Sequence, residues 1–353
     1  MSRLLVIGCG GVASVAIRKC CMADSVVTDL MLASRTKKTC DELADKLNKS
    51  GTRTRVVTAA VNADDAGEVE KLIRSFRPDV VLNLALPYQD LAVMDACLAC
   101  GVDYIDTANY ECEDTDDPVW RAVYEKRCKE KGFTAYFDYS WQWAYREKFA
   151  KAENGKWVEV PAMSIKREYD FPEVGKKDMY LLHHEEIESL AENVPGVRRI
   201  RFFMTFGQSY LTHMECLRNV GMLSTTPVMY EGREIVPIQF LKALLPDPAT
   251  LGPRTHGKTN IGCIFTGKKD GKDRKIYIYN VCDHQACYRE VESQAISYTT
   301  GVPAMIAALL VATGKWTGKG VYNVEEFDPD PFMDALNAYG LPWVVDEDPV
   351  LVD

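Results

Sequence analysis

The chain opens with Arg3-Leu4-Leu5-Val6-Ile7 running straight into Gly8-Cys9-Gly10-Gly11-Val12-Ala13. An apolar run that ends in a glycine turn constrains the fold more than any other feature here. The turn fits G-x-G-x-x-A, in which a strand hands over to a helix whose N-terminus receives a dinucleotide pyrophosphate. Gly8 permits the tight turn, Gly10 removes the side chain that would block the phosphates, and Ala13 lets the helix pack close to its strand. Gly11 and Val12 open the helix, whose free N–H groups and positive dipole end attract the anion.

The end of the next strand adds a second signal. Asp29-Leu30-Met31-Leu32-Ala33 leads into Ser34-Arg35-Thr36-Lys37-Lys38, where an NAD-binding chain usually carries Asp or Glu for the ribose hydroxyls. Hydroxyls and cations suit a 2′-phosphate, and Arg35 can stack on adenine. Ser34, Arg35, Thr36 and Lys38 are therefore expected to select NADP(H); the alternative is a solvated basic turn. Asp64, Asn83, Leu84, Ala85, Thr107 and Ala108 complete the expected cofactor set.

A net charge of −9 argues against nucleic acid as a partner and is compatible with a cationic substrate. The first apolar run is a strand followed by glycines rather than a signal peptide. The longest apolar stretch, Val302 to Thr313, is too short to span a bilayer. A cytoplasmic location and no membrane partner are expected. Twelve scattered cysteines read as reduced thiols. Cys97-x-x-Cys100 lies late in a helical stretch, not at a helix N-terminus that would stabilise a thiolate.

The first half alternates strands, at 3–7, 28–33, 54–59, 79–85, 103–107 and 133–138, with helices near 12–23, 38–49, 65–76, 90–100 and 118–131. Buried runs such as Val80-Val81-Leu82-Asn83-Leu84 suit a parallel sheet covered on both faces. From about residue 156 the pattern changes. Trp157 to Tyr169, Arg199 to Phe206, Asn260 to Gly267 and Lys275 to Val281 read as strands, with Lys269-Asp270-Gly271-Lys272 as a hairpin turn. An apolar helix is expected around Ser293–Lys315, and Asp328-Pro329-Asp330-Pro331 opens another that runs to Tyr339. The expected fold class is α/β: a Rossmann doubly wound parallel sheet plus an α+β substrate domain with a mainly antiparallel sheet. The expected divisions are 1–145 for NADP binding, 146–300 for substrate and dimerisation, and 301–353 for C-terminal helices returning to the first domain.

Several motifs together resemble the saccharopine dehydrogenase-like oxidoreductases. They are the N-terminal glycine turn, Ala33-Ser34-Arg35-Thr36, Asn83-Leu84-Ala85-Leu86-Pro87-Tyr88, Tyr104-Ile105-Asp106-Thr107-Ala108 and Thr299-Thr300-Gly301-Val302-Pro303-Ala304. Phe137-Asp138-Tyr139-Ser140-Trp141-Gln142-Trp143, Leu181-Leu182-His183-His184-Glu185-Glu186 and Phe203-Met204-Thr205-Phe206-Gly207-Gln208 narrow the resemblance to the carboxynorspermidine (carboxyspermidine) dehydrogenases. The resemblance implies NADPH-dependent reductive condensation of aspartate β-semialdehyde with putrescine or diaminopropane, in a homodimeric enzyme of polyamine synthesis. That group usually carries several tens of residues where Ala152 here meets Glu153. Either the chain has an internal deletion there, or a segment is missing and the numbering is closed up. Losing the first strands of the substrate domain should leave sheet edges unpaired, which favours the missing segment.

For this chemistry Asp106, His213 and Lys166 are the candidate proton-transfer groups. Pro87, Tyr110, Glu111, Trp141, Arg146, Gln208 and Thr300 are the candidate substrate contacts. Arg146, with Arg201 and Arg254, could fork onto the substrate carboxylate. Glu111-Cys112-Glu113-Asp114-Thr115-Asp116-Asp117 could draw in a diamine, or be a solvated loop that favours the next helix's N-terminus. No metal is expected, because His183 and His184 are adjacent and point apart on a helix. A saccharopine- or homospermidine-forming enzyme, or a non-catalytic NADP(H)-binding protein, are the competing readings.

Overall fold

A computed structural model describes residues 2–86, 89–107, 134–137, 148–153, 156–161, 163–182, 184, 186–246 and 250–352. Six strands come first: β1 Ser2–Ile7, β2 Val27–Ser34, β3 Arg55–Ala60, β4 Val80–Asn83, β5 Asp103–Asp106 and β6 Thr134–Phe137. Four helices alternate with them: α1 Gly11–Met22, α2 Lys37–Lys49, α3 Ala66–Phe76 and α4 Asp90–Cys100. The expected helix near 118–131 lies outside the described residues.

The second half continues with β7 Lys148–Glu153, β8 Lys156–Pro161, β9 Lys166–Phe171, β10 Gly175–Leu182, α5 Glu186–Asn193, β11 Arg199–Ile200 and β12 Phe202–Thr205. Next come α6 Gln208–Asn219, β13 Val228–Tyr230, β14 Arg233–Ile235, α7 Pro237–Leu244, β15 Lys258–Lys269, β16 Lys272–Asp283 and α8 His284–Val291. The chain finishes with α9 Ala295–Ala312, β17 Gly320–Asn323, α10 Asp330–Tyr339 and β18 Trp343–Asp346.

The main sheet has the order β17-β6-β5-β4-β1-β2-β3, and all its pairings are parallel. Chain order reverses between β1 and β4, so the carboxyl ends of these two strands form the crevice where such sheets bind ligands. Both faces are covered, as the unbroken apolar runs require. Leu4 and Val6 point into a core shared with α1, α2 and α9, while Leu5 and Ile7 point into a second core shared with α3 and α4.

Helix α9 supplies much of the first core. It is long and apolar enough to cross a membrane, longer than the Val302–Thr313 stretch read from sequence, but 83% of it is buried inside the protein. It approaches α1 so closely that a Cβ on Gly301 would lie 2.7 Å from both the Val12 carbonyl oxygen and Val15 Cβ. Smaller antiparallel sheets make up the rest: β12-β10-β9, β11-β7-β8, β13-β14 and β15-β16-β18. The expected single strand from Trp157 to Tyr169 is two strands in different sheets. The chain breaks at Met163, whose φ of 57° no strand can hold. The β15–β16 hairpin turns at Asp270 and Gly271, both at positive φ, the backbone of a two-residue type I′ turn.

Candidate active site

The β1–α1 turn is built as its glycines demand. Gly8 has φ +110° and donates its amide to the Ala33 carbonyl at 2.8 Å. A Cβ there would lie 2.5 Å from the Leu84 carbonyl oxygen, so only glycine lets the turn and the β4 loop meet. Gly10 caps α1 in extended backbone, is exposed, and would carry a Cβ into open space. Gly11 and Val12 open the helix half-exposed, whereas Ala13 is buried. First-turn amides have no partner within their own helix, so the open space above Gly10 faces ready donors.

At the end of β2, Ser34 Oγ donates to the Thr36 carbonyl at 3.1 Å and contacts Cys40 Sγ at 3.3 Å. Lys37 pairs with Asp41 at 2.6 Å, and Lys38 reaches Glu42 at 3.8 Å. Arg35 is exposed and has no ion pair among the described residues. The Cys40 thiol is pulled below its ordinary range chiefly by the hydrogen bond from Cys9, while the Cys9 thiol is pushed up. These residues fit a phosphorylated dinucleotide: a cradle that a Cβ on Gly10 would fill, helix amides beneath it, and a cation at the ribose end.

Asp64, on the loop after β3, accepts from Gln89 Nε2 at 2.9 Å. Leu84 donates its amide to Ile7 at 2.7 Å. Below this loop lies a buried polar chain. Asn83 and Asp106 are register partners at the ends of β4 and β5. Asn83, Asp90 and Asp106 are each 1% exposed, and Tyr104 is fully buried. Asn83 Nδ2 donates to Asp90 Oδ1 at 2.8 Å and to the Tyr104 hydroxyl at 3.0 Å; the Tyr104 hydroxyl donates to Asp106 Oδ2 at 2.8 Å. Thr107 follows Asp106 and is half-buried. Tyr104, Asp90 and Gln89 were not in the expected site. The signal for Tyr104 was its spacing: residues two apart on a strand share a face, so Tyr104 and Asp106 point the same way.

The other expected groups do not join this cluster. Lys166 sits on β9 in an ion pair with Asp178 at 2.7 Å, which raises its pKa and holds the proton a general base must shed. His213 is exposed on α6, where Nδ1 donates to the Ser209 carbonyl at 2.6 Å. Gln208 is exposed at the start of the same helix. Thr300 is 2% exposed inside α9, and its hydroxyl bonds back to the Ile296 carbonyl at 3.3 Å. Pro87, Ala108, Tyr110, Glu111, Trp141 and Arg146 lie outside the described residues. Among the described residues no group of three or more metal-ligating side chains comes together.

A strand-end cradle of this kind is shared by many dinucleotide enzymes, so the comparison with known proteins decides the family. Residues 4–154 match the saccharopine dehydrogenase NADP binding domain, and residues 98–341 match the saccharopine dehydrogenase C-terminal domain. The chain belongs to the saccharopine dehydrogenase family. Its NADP binding domain and its dehydrogenase relatives make it an NADP-dependent oxidoreductase.

Carboxyaminopropylagmatine dehydrogenase of Synechocystis sp. is 40% identical over 410 residues, covering 97% of this chain and 97% of that protein. Carboxynorspermidine synthase of Vibrio alginolyticus is 34% identical over 416 residues, covering 98% of this chain and 97% of that protein. Both matches extend over more positions than the 353 residues of the chain, so several tens of residues in each relative face none here. Among solved structures, apo saccharopine dehydrogenase (L-Glu forming) from Saccharomyces cerevisiae matches with a TM-score of 0.71 at 14% identity, covering 99% of this chain and 100% of that one. At that identity the match speaks for the fold.

Proposed function

We propose that the protein catalyses NADPH-dependent reductive condensation of aspartate β-semialdehyde with a diamine, putrescine or diaminopropane, to give carboxyspermidine or carboxynorspermidine. The observation that carries this reading is the near end-to-end similarity to two relatives whose names both denote carboxylated polyamine products. A second reading takes agmatine as the amine, favoured by the 40% identity to the carboxyaminopropylagmatine dehydrogenase.

When bound, NADPH supplies the hydride that reduces the imine carbon. The chain's own residues bind and orient. Gly8, Gly10, Gly11, Val12 and Ala13 form the pyrophosphate cradle, with Ser34, Arg35, Thr36 and Lys38 at the 2′-phosphate. Asp64, Asn83, Leu84, Ala85 and Thr107, at or beside the strand ends, are the further cofactor contacts, with Ala108 retained from the sequence. Asp106 exchanges a proton with the condensing amine or the departing water. His213 is retained as a second candidate acid–base group, and Pro87, Tyr110, Glu111, Trp141, Arg146 and Gln208 as substrate contacts.

We further propose that the chain works as a homodimer in the cytoplasm. The segment 207–246 supports the homodimer: α6 and α7 bury no residue, and Met229, Tyr230, Phe240 and Leu244 stand more than half exposed. The domain divisions expected from sequence, 1–145, 146–300 and 301–353, stand as a proposal.

The test follows NADPH absorbance with aspartate β-semialdehyde and, in parallel, putrescine, diaminopropane, agmatine or lysine, with mass detection of product. Oxidation that depends on a diamine, with the carboxylated polyamine formed, is the expected result. Turnover only with agmatine establishes the second reading. NADPH binding without oxidation by any amine overturns both.

A further inference from the structure

The protons around Asn83 can be assigned without ambiguity. Its Oδ1 accepts the Ala85 amide at 3.1 Å, which fixes the orientation of the side-chain amide. Its Nδ2 carries two protons, and they go to Asp90 Oδ1 and to the Tyr104 oxygen. A phenol has one proton, and the Tyr104 oxygen already receives one from Asn83. The Tyr104 proton therefore points at Asp106 Oδ2, 2.8 Å away. Burial, then the negative charges of Asp106 and Asp90, push the Tyr104 hydroxyl well above its ordinary range, so it keeps that proton throughout the working pH. The hydrogen-bond chain runs one way: Ala85 amide to Asn83, Asn83 to Tyr104, Tyr104 to Asp106.

The Tyr104 hydroxyl thus presents its proton to Asp106 Oδ2, a donor that favours the charged form of the carboxylate. We propose that Tyr104 is a positioning residue for the reaction, holding the Asp106 carboxylate at the end of β5 and setting the pH at which it exchanges its proton. This deepens the proposed function and rests on its reading of Asp106 as a proton-exchanging group. Tyr104 is joined to Asp106 directly, and Asp90 is linked to it through Asn83 and Tyr104. The Asn83 link also ties the same device to the Leu84–Ala85 turn that packs on Gly8, so the proton-exchanging carboxylate and the cofactor loop are set by one network.

The experiment measures kcat and KM against pH for the full chain and for Tyr104→Phe, Asp106→Asn and a chain with 3-fluorotyrosine at 104, alongside NADPH affinity by fluorescence. Removing a donor from a carboxylate disfavours its charged form, so Tyr104→Phe should move the limb that reports Asp106 to higher pH, by about one unit. It should lower kcat about tenfold while NADPH affinity stays within about twofold. Fluorotyrosine keeps the shape and makes a stronger donor, so it should move that limb to lower pH. A purely structural role for Tyr104 would lower the rate without moving the limb in opposite directions. An unmoved limb in both variants, with Asp106→Asn inactive, overturns the role of Tyr104. A fully active Asp106→Asn overturns instead the reading of Asp106 beneath it. If Tyr104→Phe fails to fold, as loss of NADPH binding would show, the fluorotyrosine shift decides alone.

Discussion

Gly8 and Leu84 touch backbone to backbone, leaving 2.5 Å between the Leu84 carbonyl oxygen and the place where a Cβ on Gly8 would stand. That contact joins the phosphate turn to the loop after β4. Gly8→Ala meets both the clash and a φ of +110° and should cost about 3 kcal/mol of stability. Gly10→Ala meets only open space, so it should stay within about 0.5 kcal/mol of wild type yet bind NADPH at least about tenfold more weakly, because the methyl group occupies the cradle. Urea denaturation and NADPH fluorescence titration of both variants separate the two effects. Equal NADPH affinity in Gly10→Ala would refute the cradle.

Arg35 is the cation of the Ser34–Lys38 segment that is free of an intrahelical carboxylate, whereas Lys37 and Lys38 answer to Asp41 and Glu42. Arg35→Ala should reduce the preference for NADPH over NADH by about 10- to 100-fold, the worth of one or two charge-assisted hydrogen bonds. The change should fall mainly in KM for NADPH. An unaltered ratio of kcat/KM for the two cofactors would move the phosphate contact away from Arg35.

Lys19 is 1% exposed in α1, and its ammonium is held by Glu290, by the Tyr298 hydroxyl at 2.6 Å and by the Tyr339 carbonyl at 2.7 Å. The cation thus pins α1 to α8, α9 and α10. Lys19→Ala leaves a cavity beside α1 and takes the ammonium donor from the Tyr339 carbonyl, and should destabilise the protein by about 2–4 kcal/mol. Lys19→Met, which refills the volume, combined with Glu290→Gln should recover much of that loss. Chemical denaturation midpoints check the order.

His284 is 6% exposed, and its Nδ1 accepts the Ala295 amide at 3.2 Å, so the folded protein needs the neutral ring. Burial holds its pKa below the ordinary value of 6.5. The unfolded chain therefore takes up the proton first. The stabilisation is complete above the unfolded value and is lost progressively as pH falls below it. Melting temperature should drop between about pH 7 and about pH 5, and His284→Asn should flatten that slope. An identical slope in the variant would place the titration elsewhere.

The first half was legible because strands such as β1 and β4 are buried on both faces and announce themselves as apolar runs. The predicted limits of β1 to β6 and α1 to α4 lie within a few residues of those observed. Strands with half-solvated faces carried no such mark. In β10, Gly175-Lys176-Lys177-Asp178 hides the buried Met179 and Leu181 that follow, and β17 is four residues long. The cofactor cradle was readable because its function lies in backbone geometry that glycine alone permits. Tyr104 was not singled out, since its role arises only when β5 is laid beside β4. Lys166 was chosen by chemical type, and type says nothing about an ion pair across a hairpin; the Thr300 hydroxyl folded back on its own helix is equally invisible in the sequence.

The pairing of β17 with β6 also sets an order of events during synthesis. Residues 320–323 complete an edge of the sheet that begins at residue 2, so the cofactor-binding half closes only after nearly all of the chain has left the ribosome. Until then the β6 edge stands open, and the sheet face that α9 will cover is bare. Both are surfaces on which a nascent chain associates wrongly. Ribosomes stalled before residue 320 should therefore display chains that bind NADPH poorly and recruit chaperones, although every glycine of the cradle was made within the first dozen residues.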